Sequence, residues 1–551
     1  MKILENIKGF TGQTGYWPGR ERLGHWLGVS VFAAAVLGPL LALVIEFGQS
    51  VCAGHGDWLK LALPTGRRAV LLLRSLGLAA LVAAGGMVLG VLAASVLWRW
   101  RSGALGCLRW LVLLAPVPPY IHALAWSSAA LALNALLSNA GLPGIAVEGP
   151  AVSWWVQLMS LAPLAAGPAL VGLESVDPTL IEAARLVRAD FEVFKEVVLP
   201  LAAPVILAGG GLLFLLSLTD YSVPSLFSVN VYALEIFAEF SATNEPARAL
   251  LVSAPLLVVA AFVVGASQSA FRNAALVRPR QSAAWAVLRT WPGWLAWLQR
   301  LALAVLALQV LVPLVGLTAT AGTGKAVIPS IAAAKREIAY SFWVALLSAG
   351  LYLPPALSVA HELARSGRRG WWAWPLVTVP LAVPPPLVGI GLIVVGGKSF
   401  FPCVYGSGWM LVLAAVSRFA PLAAIVLLAY SRRIDPLLVD AARILGGDSL
   451  TTWVRVRLPL LAPGLLASAS LCFALTVGEL GATLVVAPPG LATLTMRIYN
   501  YLHYGASDQV AGLCLVMSAV AAGAGLTIVY TLAFWSRLFQ RGAGEGEVSG
   551  G

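Results

Sequence analysis

Apolar positions along the chain fall in long runs, unlike the two-residue alternation of a half-buried strand or the single stripe of a surface helix. They lie near residues 27 to 47, 69 to 97, 108 to 131, 152 to 174, 201 to 219 and 249 to 270. A second set lies near 300 to 320, 339 to 360, 372 to 396, 408 to 430, 460 to 485 and 510 to 536. Crossing a hydrocarbon core of about 30 Å takes roughly 20 apolar residues in a helix, so each run is long enough to span. Leu-, Val- and Ala-rich stretches broken by Gly and Pro, without the alternating lipid-out, polar-in segments of a barrel, predict helices. The expected fold is an all-α polytopic membrane protein with about twelve transmembrane helices.

Composition narrows the class further. Of 551 residues, 59% are hydrophobic and 11% charged, against about 45–50% and 25% in soluble domains, which excludes an ordinary soluble protein and a disordered chain. Five cysteines are too few for a disulfide scaffold. Cys52 and Cys403 are expected outside, with Cys107, Cys472 and Cys514 in or near spans as unpaired packing residues, and no metal site is assigned. The net charge of +12 is explained by topology without a nucleic-acid partner. Of 36 Lys and Arg, 25 lie in the amino terminus, in segments 99 to 109, 176 to 200, 272 to 300, 362 to 369 and 431 to 459, and in the tail. The positive-inside rule places these segments and both termini in the cytoplasm. The first run follows Lys2, Lys8, Arg20 and Arg22 and is too long for a signal h-region, so it is expected to remain as a span.

The chain repeats itself. "LAPLAAGPALVGLESVDPTLIEAARLV" from Leu161 matches "FAPLAAIVLLAYSRRIDPLLVDAARIL" from Phe419, with Pro163 opposite Pro421, Asp177-Pro178 opposite Asp435-Pro436 and Glu182 opposite Asp440. Each copy ends the fourth span of a six-span unit, and an even number of spans keeps both copies in one orientation, so the repeat is parallel. The expected halves are 1–275 and 295–551, joined by a basic cytoplasmic linker at 276–294. Proline pairs at Pro118-Pro119 and Pro384-Pro385 are expected to kink spans three and nine.

The loops after spans four and ten, 176–200 and 434–459, carry the most specific pattern. Asp177 and Asp435 are N-cap residues followed by proline at the first helical position, Gly446 and Gly447 break the second helix, and Leu199-Pro200 and Leu458-Pro459 lead into the next spans. A short helix, a bend and a second helix lying along the membrane form a protrusion on which a partner can dock.

These residues resemble the EAA loop of binding-protein-dependent ABC importer permeases, E-A-A, three residues, G, nine residues, I, one residue, L-P. Asp440-Ala441-Ala442, Gly446, Val456 and Leu458-Pro459 match it in register. Glu182-Ala183-Ala184 and Leu199-Pro200 match it in the first copy, where Arg188 occupies the glycine position and the loop is one residue shorter. The resemblance implies a type I importer fold, two cytoplasmic ATPase subunits seated on the two loops, a periplasmic binding protein on the opposite face, and a place in the bacterial inner membrane. It also implies that replacing Gly446 with a bulky residue harms coupling more than replacing Arg188. The chain itself is not expected to be an enzyme and needs no cofactor: its nearest phosphate-loop sequence, "ATAGTGKAV", lacks the first glycine and the Ser or Thr after Lys325.

Past the loops, Asp220 falls opposite Glu479, and Arg418 sits near the middle of span ten. An unpaired charge in lipid costs several kcal/mol, so all three are expected to face the bundle interior as pathway candidates, with an Arg418–Glu479 packing pair as the structural alternative. His122 and His361 read as packing or interface residues. The segments "VYALEIFAEFSATNEP" and "TMRIYNYLHYGASDQ" suggest paired external gates, with Ile498, Tyr499, Leu502 and Tyr504 forming either a gate or an aromatic belt.

The segment from Gly478, "GELGATLVVAPPGLATLTMRIYNYLHYGASDQVAGLCLV", resembles the fused permeases of ferric iron uptake, which implies iron(III) as cargo, with thiamine, phosphonate, polyamine or molybdate as alternatives. A secondary transporter would also show repeats and spans, with coupling acids in broken helices instead of large docking loops. A membrane-embedded enzyme would require catalytic residues converging from distant helices, and a scaffold is the remaining class.

Overall fold

The computed structural model describes residues 19–99, 117–276, 288, 290–322, 327–365, 370–397, 404–432, 434, 436–444, 449–504 and 507–548. Among them there are helices and no strands. The first copy of the repeat supplies α1 (Gly19–Cys52), α2 (Arg67–Leu97), α3 (Pro119–Asn139), α4 (Pro150–Glu174), α5 (Pro178–Arg185), α6 (Leu199–Thr219), α7 (Tyr232–Thr243) and α8 (Pro246–Leu276). The second supplies α9 (Gly293–Thr320), α10 (Val327–Ala364), α11 (Ala373–Leu381), α12 (Pro385–Gly397), α13 (Trp409–Ser431), α14 (Pro436–Ile444), α15 (Leu458–Val477), α16 (Leu494–Tyr504) and α17 (Ser507–Val548). Eleven of the described helices are long and apolar enough to cross a membrane, or twelve with the bent pair α11 and α12 taken as one span. The protein is therefore multi-pass and all-α, as the apolar runs predict.

The structure refines three expectations about the spans, two of them through proline placement. Pro384-Pro385 does bend span nine: α11 and α12 meet at 111°. Pro118-Pro119 acts differently. Pro118 is extended, at φ −53° and ψ 142°, and Pro119 opens α3 at a position where its missing N–H costs no intrahelical bond. That span accordingly runs to Asn139 rather than ending near 131, and residues 108–116 of the expected run lie outside the described residues. Span eleven is shorter than its apolar run. It stops at Val477, and residues 478–482 turn before the short helix Thr483–Val486.

The second helix of each docking loop also departs from expectation, because it does not end before the span. In the first copy, helix Asp190–Val193 passes through a π turn, Phe194–Val198, straight into α6. In the second, Ser449–Thr452 passes through Trp453–Arg457 into α15. The cause lies in the Leu-Pro pair. Pro200 and Pro459 have no N–H to give the carbonyl four residues back, and widening the preceding turn to i→i+5 bonding accommodates the loss without a kink.

The first helix of each copy packs on the other copy. Helix α1 lies against α10, α12 and α13 as well as α8, and α9 lies against α2, α3 and α4 as well as α17. In lipid such contacts rest on close backbone approach and interhelical hydrogen bonds rather than on a hydrophobic drive. At the α1–α12 crossing, a Cβ on Gly391 would overlap the Pro39 carbonyl, and Ser417 Oγ of α13 donates to Ala35 O at 2.5 Å. His25 of α1 meets Glu362 of α10 at 2.7 Å, and Arg365 donates to the same carboxylate at 2.9 Å. Glu362 is 1% exposed, so removing its partners would strand a charge at a cost of about 3–5 kcal/mol. In the mirror contact Gln299 of α9 donates to Ser95 of α2 at 2.8 Å and accepts from Arg99 at 3.5 Å.

Candidate functional site

The first docking loop is built on α5. Asp177 caps it by accepting from the Thr179 N–H at 3.0 Å, and Pro178 fixes its first turn, as the sequence predicts. Ile181 turns inward and is buried, whereas Ala183 is exposed and Glu182 and Ala184 are half-buried. Glu182 Oε1 is shielded from solvent with no donor within reach. Just beyond α5, Leu186 is 87% exposed and Val187 82%. Arg188, at the family's glycine position, pairs with Glu196 across the bend. Leu199 and Pro200 then open α6.

The second loop repeats the arrangement where it is described. Val439 of α14 is buried opposite Ile181, Asp440 and Ala441 are exposed, Ala442 is half-buried, and Ile444, equivalent to Leu186, is 85% exposed. Leu458 and Pro459 open α15. Gly446, Gly447 and the cap residue Asp435 lie outside the described residues. Two large apolar side chains at the same register, both almost fully exposed at the ends of short helices beyond the spans, are thus matched in the two loops.

A third group, which the sequence reading missed, holds the first loop from the side. Asp190, 7% exposed, accepts from Arg185 Nε at 2.9 Å and from the Thr290 N–H at 2.9 Å. Trp291 meets Phe194 edge-on with ring centroids 5.1 Å apart, and Trp294 meets Phe191 likewise at 5.7 Å. The Arg99 guanidinium lies over the Trp291 ring at 5.4 Å. Burial holds the pKa of Arg99 below the usual arginine range. A sequence signal for this group exists: Trp-Pro-Gly occurs at 17–19 and again at 291–293, directly before α1 and α9.

At the centre, the three intramembrane charges separate into two sets. Arg418 pairs with Glu479, whose other oxygen accepts from the Ala482 N–H at 2.8 Å. Asp220 caps the end of α6 instead. Its oxygens accept from Gln157 Nε2 at 3.0 Å, Ser222 N at 2.9 Å and Ser222 Oγ at 2.6 Å, while Ser217 donates to Gln157 Oε1 at 2.7 Å. Gln157 was not singled out in the sequence, although it interrupts the apolar run 152 to 174. Tyr221, next to Asp220, lies within electrostatic range of Arg418 and Tyr499, and its buried hydroxyl has no hydrogen-bond partner. His122 is fully buried, and His361 packs edge-on against His25 at 5.3 Å.

The two expected amphipathic segments are helices α7 and α16. Glu235 and Glu239 of α7 bind Arg68 of α2 at 3.3 and 2.7 Å. On α16 the polarity reverses, with Arg497 bound to Glu337 of α10 at 2.5 Å. Ile498 is buried, and the side chain of Tyr504 lies outside the described set.

Comparison with known proteins gives this architecture a family. Residues 353–542 match the family described as binding-protein-dependent transport system inner membrane component. The chain is 30% identical over 228 residues to the molybdenum transport system permease protein ModB of Haemophilus influenzae, covering 38% of this chain and 96% of that protein. It is 28% identical over 152 residues to a Salmonella typhimurium protein named as the 2-aminoethylphosphonate transport system permease PhnV, covering 27% of this chain and 56% of that one. A Salmonella typhi protein named PhnU in the same system is 34% identical over 122 residues, 22% of this chain and 42% of that protein. With 96% of a relative matched at 30% identity and a repeated loop on an all-helical multi-pass frame, the chain belongs to the binding-protein-dependent inner membrane component family, the permeases of ABC importers.

Proposed function

We propose that the chain supplies both halves of an importer pore in one polypeptide, 1–275 and 295–551 joined by 276–294, with both termini and the basic loops in the cytoplasm. Two ATPase subunits dock on the loops. Glu182, Ala183, Ala184, Arg188, Leu199 and Pro200 carry one contact, and Asp440, Ala441, Ala442, Gly446, Leu458 and Pro459 carry the other. The observation that carries this reading is the paired exposure of Leu186 and Ile444 at equivalent positions. Glu182, with a shielded and unsatisfied carboxylate oxygen, gives an incoming donor a site. ATP binding in the subunits moves both loops, and the spans that continue from them through the π turns carry the motion to the centre. There, Asp220, Arg418 and Glu479 border the pathway, and separation of Arg418 from Glu479 accompanies opening. A periplasmic binding protein delivers the cargo over α7 and α16.

Iron(III) is the cargo supported by the resemblance of the segment from Gly478. Molybdate or a phosphonate is the second reading, favoured by the names of the relatives. Affinity purification from membranes in mild detergent tests the docking. Wild type should bring down an ATP-hydrolysing subunit, and Leu186→Glu combined with Ile444→Glu should lose it, since each substitution would bury an unpaired carboxylate in the interface. Equal recovery with both proteins would overturn the reading. Uptake of labelled iron(III), molybdate and 2-aminoethylphosphonate by cells with and without the chain then decides the cargo.

A further inference from the structure

The group around Trp291 lies outside the docking surface and the pathway candidates, and it joins the first loop to the start of α9. Leu288 is 1% exposed and sits in one apolar cluster with Val176, Ile181, Val193, Phe194 and Val198, the inner face of the first docking loop. Asp190 is bonded on one side to Arg185, the last residue of α5, and on the other to the backbone of Thr290. Two residues of this short stretch, Trp291 and Trp294, each put a ring edge-on to a ring of the loop. Three residues on from Thr290, α9 begins, and α9 packs on α2, α3 and α4 and on α17. The loop of one copy is thus held by the leading segment of the other copy's first helix.

We infer that Leu288 and residues 290–294 act as a strap: they set the position of the first docking loop and carry its displacement into α9. Thr290 and Trp291 are positioning residues, the one bonded to Asp190 and the other packed on Phe194. The strap makes the two copies respond together, because a force applied at α5 reaches a helix of the second copy through Asp190 and the two tryptophans. Direct bonds and paired rings transmit such a displacement better than a flexible connection would, since each is lost within a fraction of an ångström to a few ångströms of separation. The Trp-Pro-Gly sequence at 17–19, ahead of α1, repeats the strap's own at 291–293.

The strap is tested on the purified full chain in detergent by hydrogen exchange over residues 178–198. In Trp291→Ala and Thr290→Pro, amides at 186–193 should exchange about tenfold faster than in wild type, the loss expected for an aromatic pair or an anchoring hydrogen bond, and Trp291→Phe should exchange like wild type. Unchanged exchange in both disruptive variants would overturn the strap, as would equal acceleration in Trp291→Phe. A second readout rests on the docking reading above. In the complex with ATPase and binding protein in vesicles, the two disruptive variants should retain bound ATPase while the ratio of binding-protein-stimulated to basal hydrolysis falls about fivefold or more. An unchanged ratio overturns transmission through α9. Failure of the wild-type chain to bind any ATPase would sink the docking reading alone, because hydrogen exchange is measured on the chain by itself.

Discussion

Glu479 is 6% exposed inside a membrane protein, and a carboxylate there needs compensation where it stands, which Arg418 supplies. In Glu479→Gln the guanidinium is left without its counter-charge, and the folded protein should lose about 3–5 kcal/mol, read as a lower thermal midpoint in detergent and a lower yield. Arg418→Met combined with Glu479→Leu removes both charges and should recover most of that stability. Uptake by the double variant separates packing from passage: normal transport would show that the pair only holds α13 to the turn after α15. The charges themselves were legible, because a lone Arg or Glu inside an apolar run stands out. Their partners were less so. Asp220 and Glu479 occupy matching positions in the repeat, yet one is satisfied by Gln157 and Ser222 and the other by Arg418, a difference set by contacts between helices far apart in sequence.

For the elements, the apolar runs predicted the existence of the spans better than their ends, which differ by up to about a dozen residues in α3 and α10, since one apolar residue more or less changes little in a stretch already long enough to cross. Proline effects were harder to place. Pro118 and Pro384 both precede a helix-opening proline, but only the second lies between two described helical pieces bent against each other. The π turns before Pro200 and Pro459 follow from a missing donor and can be removed by restoring it. Pro200→Ala should permit the α-helical bond to residue 196 and turn the docking loop about α6 by roughly one residue's rotation, about 100°. The expected outcome is binding-protein-stimulated hydrolysis in the proposed complex reduced about tenfold, measured in vesicles, with Pro459→Ala behaving alike. Stimulation equal to wild type would mean that the π turns have no part in coupling.

The whole molecule shows what periodicity does not encode: an apolar run states that a helix is buried in lipid or protein, not which helix it meets. Nothing in residues 19–52 announces that α1 packs against α10, α12 and α13. The exchange leads to a direct prediction. Two polypeptides obtained by cutting between residues 276 and 288, co-expressed, should find each other, copurify in similar amounts and restore uptake, because α1 and α9 cross the division in opposite directions. Fragments that accumulate separately and never associate would count against it. The exchange also bears on biosynthesis. His25 and Glu362 are 337 residues apart, so at about 5–20 residues per second the ribosome takes roughly 17–70 s to deliver the second after the first. For that interval α1 resides in the bilayer without most of its final neighbours, and the chain's assembly is paced by translation, with α1 among the last helices to find its place.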